Sequence, residues 1–286
     1  MNIKETFGLM QSKIFKAPPE LAFLYKPKVI PPMDLPNFTE VGWELEAEGW
    51  QAQNVPPGLL EEPRAYIDNK EDGSLKDGGV EFITKGPLNN QGVYNSLLEV
   101  KRIEEKLKKG LKFSHRCSFH VHLNFQNNTL ADVTNFFAAF MVVEPILFTL
   151  CEEHRKGNSY CVPLNFLNLT KKYIKEGNYN QTKYWALSIN RLQDLGTLEV
   201  RMHHGTTDIA KLQEWIKLLQ HIYAFACIGD IPNTMMKKKL LSISSQEQKT
   251  KLIQEILGTD KYNHLVSEHS LETDDSLFNA IFFLEN

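Results

Sequence analysis

The amino-acid sequence predicts an α+β protein with a mostly antiparallel sheet and helices packed on the apolar face of that sheet. Several short segments alternate apolar and polar residues, which is the pattern of a strand with one buried face. Longer segments between them have the spacing of helices. Strands separated by helices can also form a parallel sheet, but parallel strands are normally apolar on both faces. The antiparallel arrangement therefore fits this sequence better.

The first half of the chain is predicted to contain an arm, a long loop, three strands and one helix. Proline pairs at residues 18–19 and 31–32 predict an extended arm over residues 1–37, with at most one short helix. Residues 50–78 are rich in Pro, Gly, Asp and Asn, which predicts a long functional loop. The other predicted elements are the strands VGWELEA, GVEFIT and CSFHVHLNF and an amphipathic helix over about residues 95–109.

The second half of the chain is predicted to be mainly helical, with one hairpin. An apolar segment predicts a helix over about residues 130–153. Its uninterrupted apolar run is shorter than the ~20 residues that a helix needs to span a bilayer. We therefore expect a buried helix of a soluble protein. The segments WALSINRL and TLEVRMHH, joined by QDLG, predict a hairpin. Further helices are expected near residues 171–175, 208–228, 245–257 and 270–286.

The composition is that of an ordinary globular protein and argues against nucleic acid or a membrane as the main partner. The chain has 286 residues, of which 42% are hydrophobic and 23% charged, and its net charge is -3. This near-neutral charge gives no electrostatic basis for a nucleic-acid or membrane partner. The four cysteines are scattered without a CxxC pair, which argues against a thiolate zinc site and favours a reducing compartment. The polar start of the chain, MNIKETFGLM, does not resemble a signal peptide, so we expect a cytoplasmic location.

The polar faces of the predicted strands carry mainly Glu, His, Asn and Arg, and Lys is absent from them. A solvated face usually carries Lys, Thr, Ser and Gln, and glutamates grouped on one face repel each other unless a positive charge is present. We therefore favour a metal site over a solvated face, and carboxylates with imidazoles suit Mg²⁺ or Mn²⁺. The residues on these faces are Glu44, Glu46, Glu81, Ser118, His120, His122, Asn124, Ser188, Asn190, Thr197, Glu199, Arg201 and His203.

Four motifs give the chain a resemblance to a known family. GWELEAEG, DGSLKDGGVEF, SFHVHLNF and GTLEVRMHHGT occur in the order found in relatives of glutamine synthetase and glutamate–cysteine ligase, and in particular in the amidoligase family. The resemblance covers roughly residues 38–225. It implies a glutamine-synthetase-like catalytic domain with a curved sheet and a polar concave face. It also implies an ATP-dependent ligase, in which ATP phosphorylates a carboxylate and an amine or ammonia attacks the acyl phosphate.

The resemblance also implies a role for individual residues. His122 would lie near the ATP phosphates, and Arg201 would bind ATP and stabilise the transferring phosphoryl group. Asp72 would hold or deprotonate the amine, although an Asp-Gly pair is equally typical of a turn. Arg155 is implied as a catalytic and substrate-binding residue. Asn190, on the polar face of a predicted strand, is a second candidate for substrate binding. The implied ligands of Mg²⁺ or Mn²⁺, with more than one ion expected, are Glu44, Glu46, Glu81, His120 and Glu199.

Three other residues attract attention without a clear role in chemistry. Glu144 lies within an apolar helix, so it is either paired in the core or reaches the site. Cys161 has no His or Asp tied to it by sequence, and a buried small residue is the better interpretation. Arg191 ends a predicted strand on its apolar side, which favours a surface arginine at a hairpin over a substrate contact.

The predicted organisation is an extended arm (residues 1–37), a catalytic domain (38–230) and a helical extension packed on the same domain (231–286). The expected substrates are small-molecule, peptide or protein carboxylates and amines, and a phage origin with action in the host cytoplasm is left open. Neither the substrate identity nor the oligomeric state follows from the sequence. The alternatives are an iron or zinc oxygenase or hydrolase using His120, His122 and one Glu, a kinase that stops at the phosphorylated product, and a non-catalytic interaction protein.

Overall fold

A computed structural model of the chain describes residues 1–21, 37–59, 62–176, 182–229 and 231–286. Six strands and nine α-helices lie within these residues, so the predicted α+β class is confirmed. The strands are β1 (Val41–Ala47), β2 (Ile67–Glu71), β3 (Val80–Thr84), β4 (Ser118–Asn124), β5 (Leu187–Ser188) and β6 (Thr197–His204). The helices are α1 (Ile3–Phe7), α2 (Asn90–Lys106), α3 (Leu130–Thr149), α4 (Lys172–Glu176), α5 (Ile209–Cys227), α6 (Asn233–Leu241), α7 (Gln246–Leu257), α8 (Asn263–Glu268) and α9 (Ser270–Glu285).

The chain forms two compact units that do not follow the order of the sequence. The first unit contains residues 1–11, 125–202 and 217–286, and the second contains residues 12–124 and 203–216. Strand β6 and helix α5 each contribute residues to both units. The domain boundaries predicted near residues 37 and 230 stay predictions. Residues 22–36 of the predicted arm, and residue 230 itself, lie outside the described part of the chain.

The second unit contains four antiparallel strands in the order β2-β3-β1-β4, with α2 on their apolar face. The burial of β1 alternates along its length, as the period-2 pattern predicts. Trp43 on the apolar side of β1 donates from Nε1 to Oγ of Ser96 in α2 at 2.8 Å. Helix α2 begins after Asn89, whose side chain accepts the N–H of Gly92 and caps the helix. This arrangement confirms, for β1 and α2, the predicted packing of a helix on the apolar face.

Strand β2 lies inside the segment that the sequence predicts to be a loop. Its sequence, IDNKE, contains a single large apolar residue, Ile67, which is its only buried position. The strand pairs with β3 along its whole length, and this pairing aligns Lys70 with Glu81. An edge strand can be this polar because only one of its sides is hydrogen-bonded to a neighbour. The predicted loop is therefore partly regular structure.

The first unit is built around α3, which is nearly all buried. The helix begins with a capping box in which Thr129 and Asp132 accept each other's backbone N–H groups. It packs along α9, where Phe137 stacks on Phe283 with 6.0 Å between ring centroids. Helix α3 is long and apolar enough to cross a membrane, but this is weak evidence because a buried core helix meets the same criteria. It ends at Thr149, earlier than predicted.

The hairpin of the first unit has a shorter first strand than the sequence predicts. Strand β5 contains two residues and pairs antiparallel with β6. The chain then turns. The N–H of Asn190 donates to Oγ of Ser188, and the N–H of Leu192 donates to the carbonyl of Ile189, so neither group is free to pair with a strand. Asn190 therefore lies in a turn and not on a strand face, which corrects the predicted strand over WALSINRL.

Candidate functional site

Glu44 and His120 lie opposite each other on the neighbouring strands β1 and β4 of the second unit. The register of β1 and β4 aligns Glu44 with His120 and Gly42 with His122. Oε2 of Glu44 lies 3.4 Å from Nδ1 of His120, and Oε1 lies 3.4 Å from Nε2 of His122. One carboxylate thus faces two imidazole rings, as the alternation of residues along β1 and β4 predicts.

The electrostatic environment of Glu44 favours its ionised form. Burial raises the pKa of this carboxyl group, but the hydrogen bonds and charges of His120 and His122 outweigh it and hold the pKa well below its usual range. His120 and His122 are themselves buried, being 2% and 8% exposed. A half-buried carboxylate beside two imidazole nitrogens is a suitable ligand group for a cation.

A second group of carboxylates lies beside the first and is carried by β1, β3 and the loop after β2. The register of β1 and β3 places Glu46 directly opposite Glu81. Ligand oxygens of Glu46, Glu81 and Asp72 lie within 4.8 Å of one another. Burial and the charge of Glu44 raise the pKa of Glu81, while Lys70 opposes this rise. Three carboxylates this close repel each other unless a positive charge lies near them.

Lys70 supplies one positive charge to this face. Its Nζ forms an ion pair with Oε2 of Glu81, and the pKa of Lys70 is raised, chiefly by this hydrogen bond. The Lys70 side chain is 61% exposed. Lys70 lies on β2, a strand that the sequence pattern does not predict, and so it was absent from the predicted polar faces. Lys70 therefore weakens, but does not remove, the electrostatic argument for a metal ion.

Asp72 forms a turn contact and also lies in a group of carboxylates, so it fits both roles that the sequence left open. Its side chain accepts the N–H of Ser74 at 2.8 Å, which is a turn contact. A carboxylate can accept several hydrogen bonds or bind a metal ion as well, so Asp72 can also act together with Glu46 and Glu81. The loop closes tightly on Asp72, since a Cβ at Gly79 would lie 2.3 Å from the Asp72 carbonyl oxygen. Glycine is therefore required at position 79, because any side chain there would collide with the backbone of Asp72.

The polar face of the second unit is largely removed from water. Glu81, Ser118, His120, His122 and Asn124 are all buried, and Glu44 and Glu46 are half-buried. A solvated sheet face would expose such side chains, so the burial argues against that interpretation. Buried charged groups are costly unless they are paired or bind a cation.

Glu199 and Arg201 belong to the first unit, on β6. The two side chains form an ion pair between Nη1 of Arg201 and Oε1 of Glu199. Glu199 is 3% exposed and is aligned with Ser188 of β5. The roles that the resemblance implies for them, as a metal ligand and a phosphoryl-stabilising arginine, stay predictions.

Arg155 is held by the backbone of β6. It is 2% exposed, and it donates from Nε to the carbonyl of Met202 at 3.0 Å and from Nη2 to the carbonyl of Arg201 at 2.6 Å. These contacts give Arg155 a structural task beside the catalytic and substrate-binding roles that the resemblance implies. The contacts described for Asn190 involve its backbone N–H, and its substrate-binding role stays a prediction.

The three residues without a clear role can now be assigned. Glu144 is paired in the core, where it accepts the backbone N–H groups of Leu164 and Asn165 at 2.7 and 2.9 Å. Cys161 is fully buried, and burial raises the pKa of its thiol to about 12, which disfavours a nucleophilic thiolate. Arg191 is exposed and forms an ion pair with Asp194 at 2.9 Å, as expected for a surface arginine.

Two residues at the site were missed as functional candidates by the sequence analysis. Lys70 carried no clear signal, because its strand has one apolar residue. Ser118 lies on the polar face by alternation, but serine is common on strands, so nothing distinguished it. The structure shows that its hydroxyl and N–H both bind Oε2 of Glu46 and that its Oγ lies 2.6 Å from Nε2 of His120.

The donor set of the second unit fits a divalent cation. Glu44, Glu46, Glu81 and Asp72 offer carboxylate oxygens, and His120 and His122 offer imidazole nitrogens. Oxygen-rich sets suit Mg²⁺ or Mn²⁺, whereas two imidazoles with one carboxylate also suit iron or zinc. The residues therefore fit a divalent metal ion.

Part of the chain is similar to known enzymes. A family model described as "Putative amidoligase enzyme" matches residues 93–223. No curated protein matches the chain. The matched segment includes β4 and β6, with His120, Glu199 and Arg201, and it begins after Glu44, Glu46 and Glu81. The predicted resemblance is therefore confirmed over residues 93–223, where the chain is similar to the amidoligase enzymes.

Proposed function

We propose that this protein is an ATP-dependent ligase that joins a carboxylate to an amine. One observation carries the proposal: β1 places Glu44 opposite His120 and Glu46 opposite Glu81, on a buried polar face. The similarity of residues 93–223 to amidoligases supplies the reaction class. A ligase of this class needs a site that holds a nucleotide–metal complex, and buried carboxylates with imidazoles are suited to that task.

The proposed reaction has two steps with balanced bonds. An oxygen of the carboxylate substrate attacks the γ-phosphorus of ATP, and the bond to the β-phosphate oxygen breaks to release ADP. The amine nitrogen then attacks the acyl carbon, the bond to the phosphate breaks, and the nitrogen loses one proton. The products are an amide, ADP and inorganic phosphate.

The residues of the chain have distinct roles in this proposal. Glu44, Glu46, Glu81 and His120 would hold Mg²⁺ or Mn²⁺, which supplies charge neutralisation at the phosphates. His122 would lie near the phosphates. Asp72 would hold or deprotonate the amine, as the resemblance implies, and its place on a loop suits a group that closes over substrate. Arg201 is proposed to stabilise the transferring phosphoryl group. The glutamine-synthetase-like fold is part of the same proposal.

Calorimetric titration of a non-hydrolysable ATP analogue tests the proposal first. The titration is run into the full chain with Mg²⁺, and then with EDTA. Binding that requires the metal supports the proposal and justifies a screen of carboxylates and amines. Absence of binding under both conditions contradicts it. Product analysis then separates a ligase, which releases phosphate with an amide, from a kinase, which leaves a stable phosphorylated acceptor.

A second candidate function follows from the contacts of Glu44 alone. Nδ1 of His120 and Nε2 of His122 both lie 3.4 Å from its carboxylate, which is a set of two histidines and one carboxylate. Such sets bind iron or zinc in oxygenases and hydrolases. This candidate requires iron or zinc in the purified protein and no nucleotide. Elemental analysis of protein purified without chelator distinguishes it from the ligase, and a chain that binds neither metal nor nucleotide would be a non-catalytic interaction protein.

A further inference from the structure

Ser118 contacts both Glu46 and His120 through a single hydroxyl group. Its Oγ lies 2.6 Å from Nε2 of His120 and forms a short hydrogen bond to Oε2 of Glu46. The backbone N–H of Ser118 donates to the same oxygen of Glu46 at 2.9 Å. Ser118 is 4% exposed and His120 is 2% exposed, so these contacts are shielded from water. The arrangement links a carboxylate, a hydroxyl and an imidazole in one chain of hydrogen bonds.

Counting protons along this chain assigns the roles of its members. A carboxylate only accepts hydrogen bonds, whereas a serine hydroxyl has one proton to donate and lone pairs to accept with. The proton between Oγ and Oε2 must therefore come from Ser118. The hydroxyl has no second proton for His120, so it accepts one, and Nε2 of His120 therefore carries a proton.

This assignment decides which nitrogen of His120 can bind a metal ion. A histidine that binds a metal ion is neutral and keeps one N–H, so a proton on Nε2 leaves Nδ1 as the nitrogen that can bind the ion. Nδ1 is the atom that lies 3.4 Å from Oε2 of Glu44. The same contact places a carboxylate oxygen beside Nδ1, so a cation that binds there takes the place of a proton between the two groups. Metal-binding histidines generally donate their other N–H to a neighbouring group, which fixes the ring.

We propose that Ser118 is a positioning residue: it holds His120 in the Nε2–H tautomer and thereby directs Nδ1, together with Glu44, toward a divalent cation. Glu46 acts through Ser118 in this arrangement, because it orients the hydroxyl. The inference rests on the proposed function only for the presence of the cation. It adds a residue and a specific ligand atom to the site.

Nuclear magnetic resonance of the histidine nitrogens tests the tautomer directly. The full chain is labelled with ¹⁵N-histidine and titrated with Zn²⁺ as a diamagnetic probe, and His120 is assigned by the signals missing from His120→Asn. We expect a protonated, pyrrole-type Nε2 and an Nδ1 signal that moves when zinc binds. A proton on Nδ1 with zinc-dependent movement of Nε2 overturns the proposal, as does a zinc titration that moves neither signal.

A matched pair of variants tests the role of the hydroxyl. Thr keeps the hydroxyl and Val replaces it by a methyl group of similar size, so Ser118→Thr and Ser118→Val differ in that group alone. Loss of a group that orients a metal-binding histidine lowers metal affinity by about 10–100-fold. We expect this loss, with a mixture of tautomers, in Ser118→Val and near-wild-type behaviour in Ser118→Thr. Equal zinc affinity and one tautomer in both variants would overturn the proposal, and if either variant fails to fold the wild-type spectrum decides alone.

These measurements separate the inference from the proposed function. Zinc binding through Nδ1 without any nucleotide binding would leave the role of Ser118 intact and remove the ligase. Metal-dependent nucleotide binding with zinc bound through Nε2 would do the reverse. The nitrogen spectrum requires no substrate, so it is readable before the reaction is known.

Discussion

Glu44 of β1 and His120 of β4 are direct neighbours across two antiparallel strands, with Oε2 and Nδ1 separated by 3.4 Å. The two histidines beside Glu44 hold its pKa well below the usual range against the effect of burial. The lowered pKa favours the ionised carboxylate. This charge is in place before any cation binds, so the site does not have to reorganise to accept one.

Replacing Glu44 by Gln tests this charge at nearly constant shape. An amide cannot offer a charged oxygen to a divalent cation, so we expect Glu44→Gln to weaken metal-dependent binding of an ATP analogue by at least about tenfold. The measurement is calorimetric titration with Mg²⁺. Asp68→Asn is the matched control, because Asp68 is an exposed carboxylate on β2 paired with Lys85. Equal affinities in the two variants would contradict the assignment of Glu44 as a ligand.

The ion pair of Lys70 and Glu81 predicts a variant with higher, not lower, metal affinity. Lys70 neutralises Glu81 on the face that also carries Glu46, so it competes with a cation for that carboxylate. We expect Lys70→Met to raise the affinity for Mn²⁺ by about tenfold, which is about 1.4 kcal/mol, or to add a second bound ion. Electron paramagnetic resonance of free Mn²⁺ measures both quantities. Lys85→Met is the control, because its partner Asp68 is exposed. A lower affinity in Lys70→Met would indicate that Lys70 does not compete with the metal.

The comparison of Lys70 with Glu44 shows what the sequence can predict about such a site. Strand β1 was recognised because Val41, Trp43 and Leu45 alternate with polar residues and are buried. The faces of β1 and β4, and with them the approach of Glu44 to His120, follow from that alternation. Strand β2 has no such alternation, so neither its existence nor the Lys70–Glu81 pair was predicted.

Contacts with the backbone are harder still to predict. Arg155 was singled out by its resemblance to a family arginine, yet its described hydrogen bonds go to the carbonyls of Arg201 and Met202. No property of the residue type encodes those acceptors, since every residue has a carbonyl group. The same reason explains why the sequence left the role of Glu144 undecided. The turn at Asn190 likewise depends on a side-chain contact of Ser188 that competes with the strand.

Glu199→Gln tests the part of the assignment that comes from the family alone. The resemblance implies that Glu199 is a metal ligand, and its carboxylate is buried and paired with Arg201. We expect the variant to lose nucleotide turnover and to keep its fold, because Gln preserves the size of the side chain. Phosphate release and circular dichroism measure the two properties. Turnover near the wild-type rate would contradict the role of metal ligand that the resemblance implies for Glu199.

Arg155→Ala separates a structural role from a chemical one. The variant leaves two buried carbonyl groups without their donors, so we expect the free energy of unfolding to fall by about 3 kcal/mol. Urea unfolding measures this change. Arg191→Ala is the matched control, because an exposed ion pair contributes at most about 1 kcal/mol. The resemblance further predicts that Arg155→Ala binds ATP but does not ligate, and unchanged ligation in a folded variant would exclude Arg155 from the mechanism.

Glu144 gives a prediction about stability and pH that is independent of the reaction. Burial raises the pKa of this carboxyl group from 4.5 to about 7, although the N–H groups of Asn165 and Leu164 oppose the rise. Between these two pH values the folded chain holds a proton that the unfolded chain has released. The free energy of unfolding therefore falls as the pH rises, with a maximum slope of about 1.4 kcal/mol per pH unit. The stability contributed by the protonated group is fully present below the unfolded pKa and is lost as the pH passes the folded one.

Glu144→Gln removes this titration and isolates its contribution. We expect the stability of the wild-type chain relative to Glu144→Gln to fall between pH about 5 and about 7, and to be constant above that range. Urea unfolding at several pH values measures the difference, and Glu153→Gln, at an exposed position, should show no such change. A difference that is constant over the whole range would mean that the N–H donors outweigh burial and keep Glu144 ionised. In that case Glu144 would be a charged cap on the segment at Leu164 and Asn165, and the pH dependence of folding would have to come from other groups.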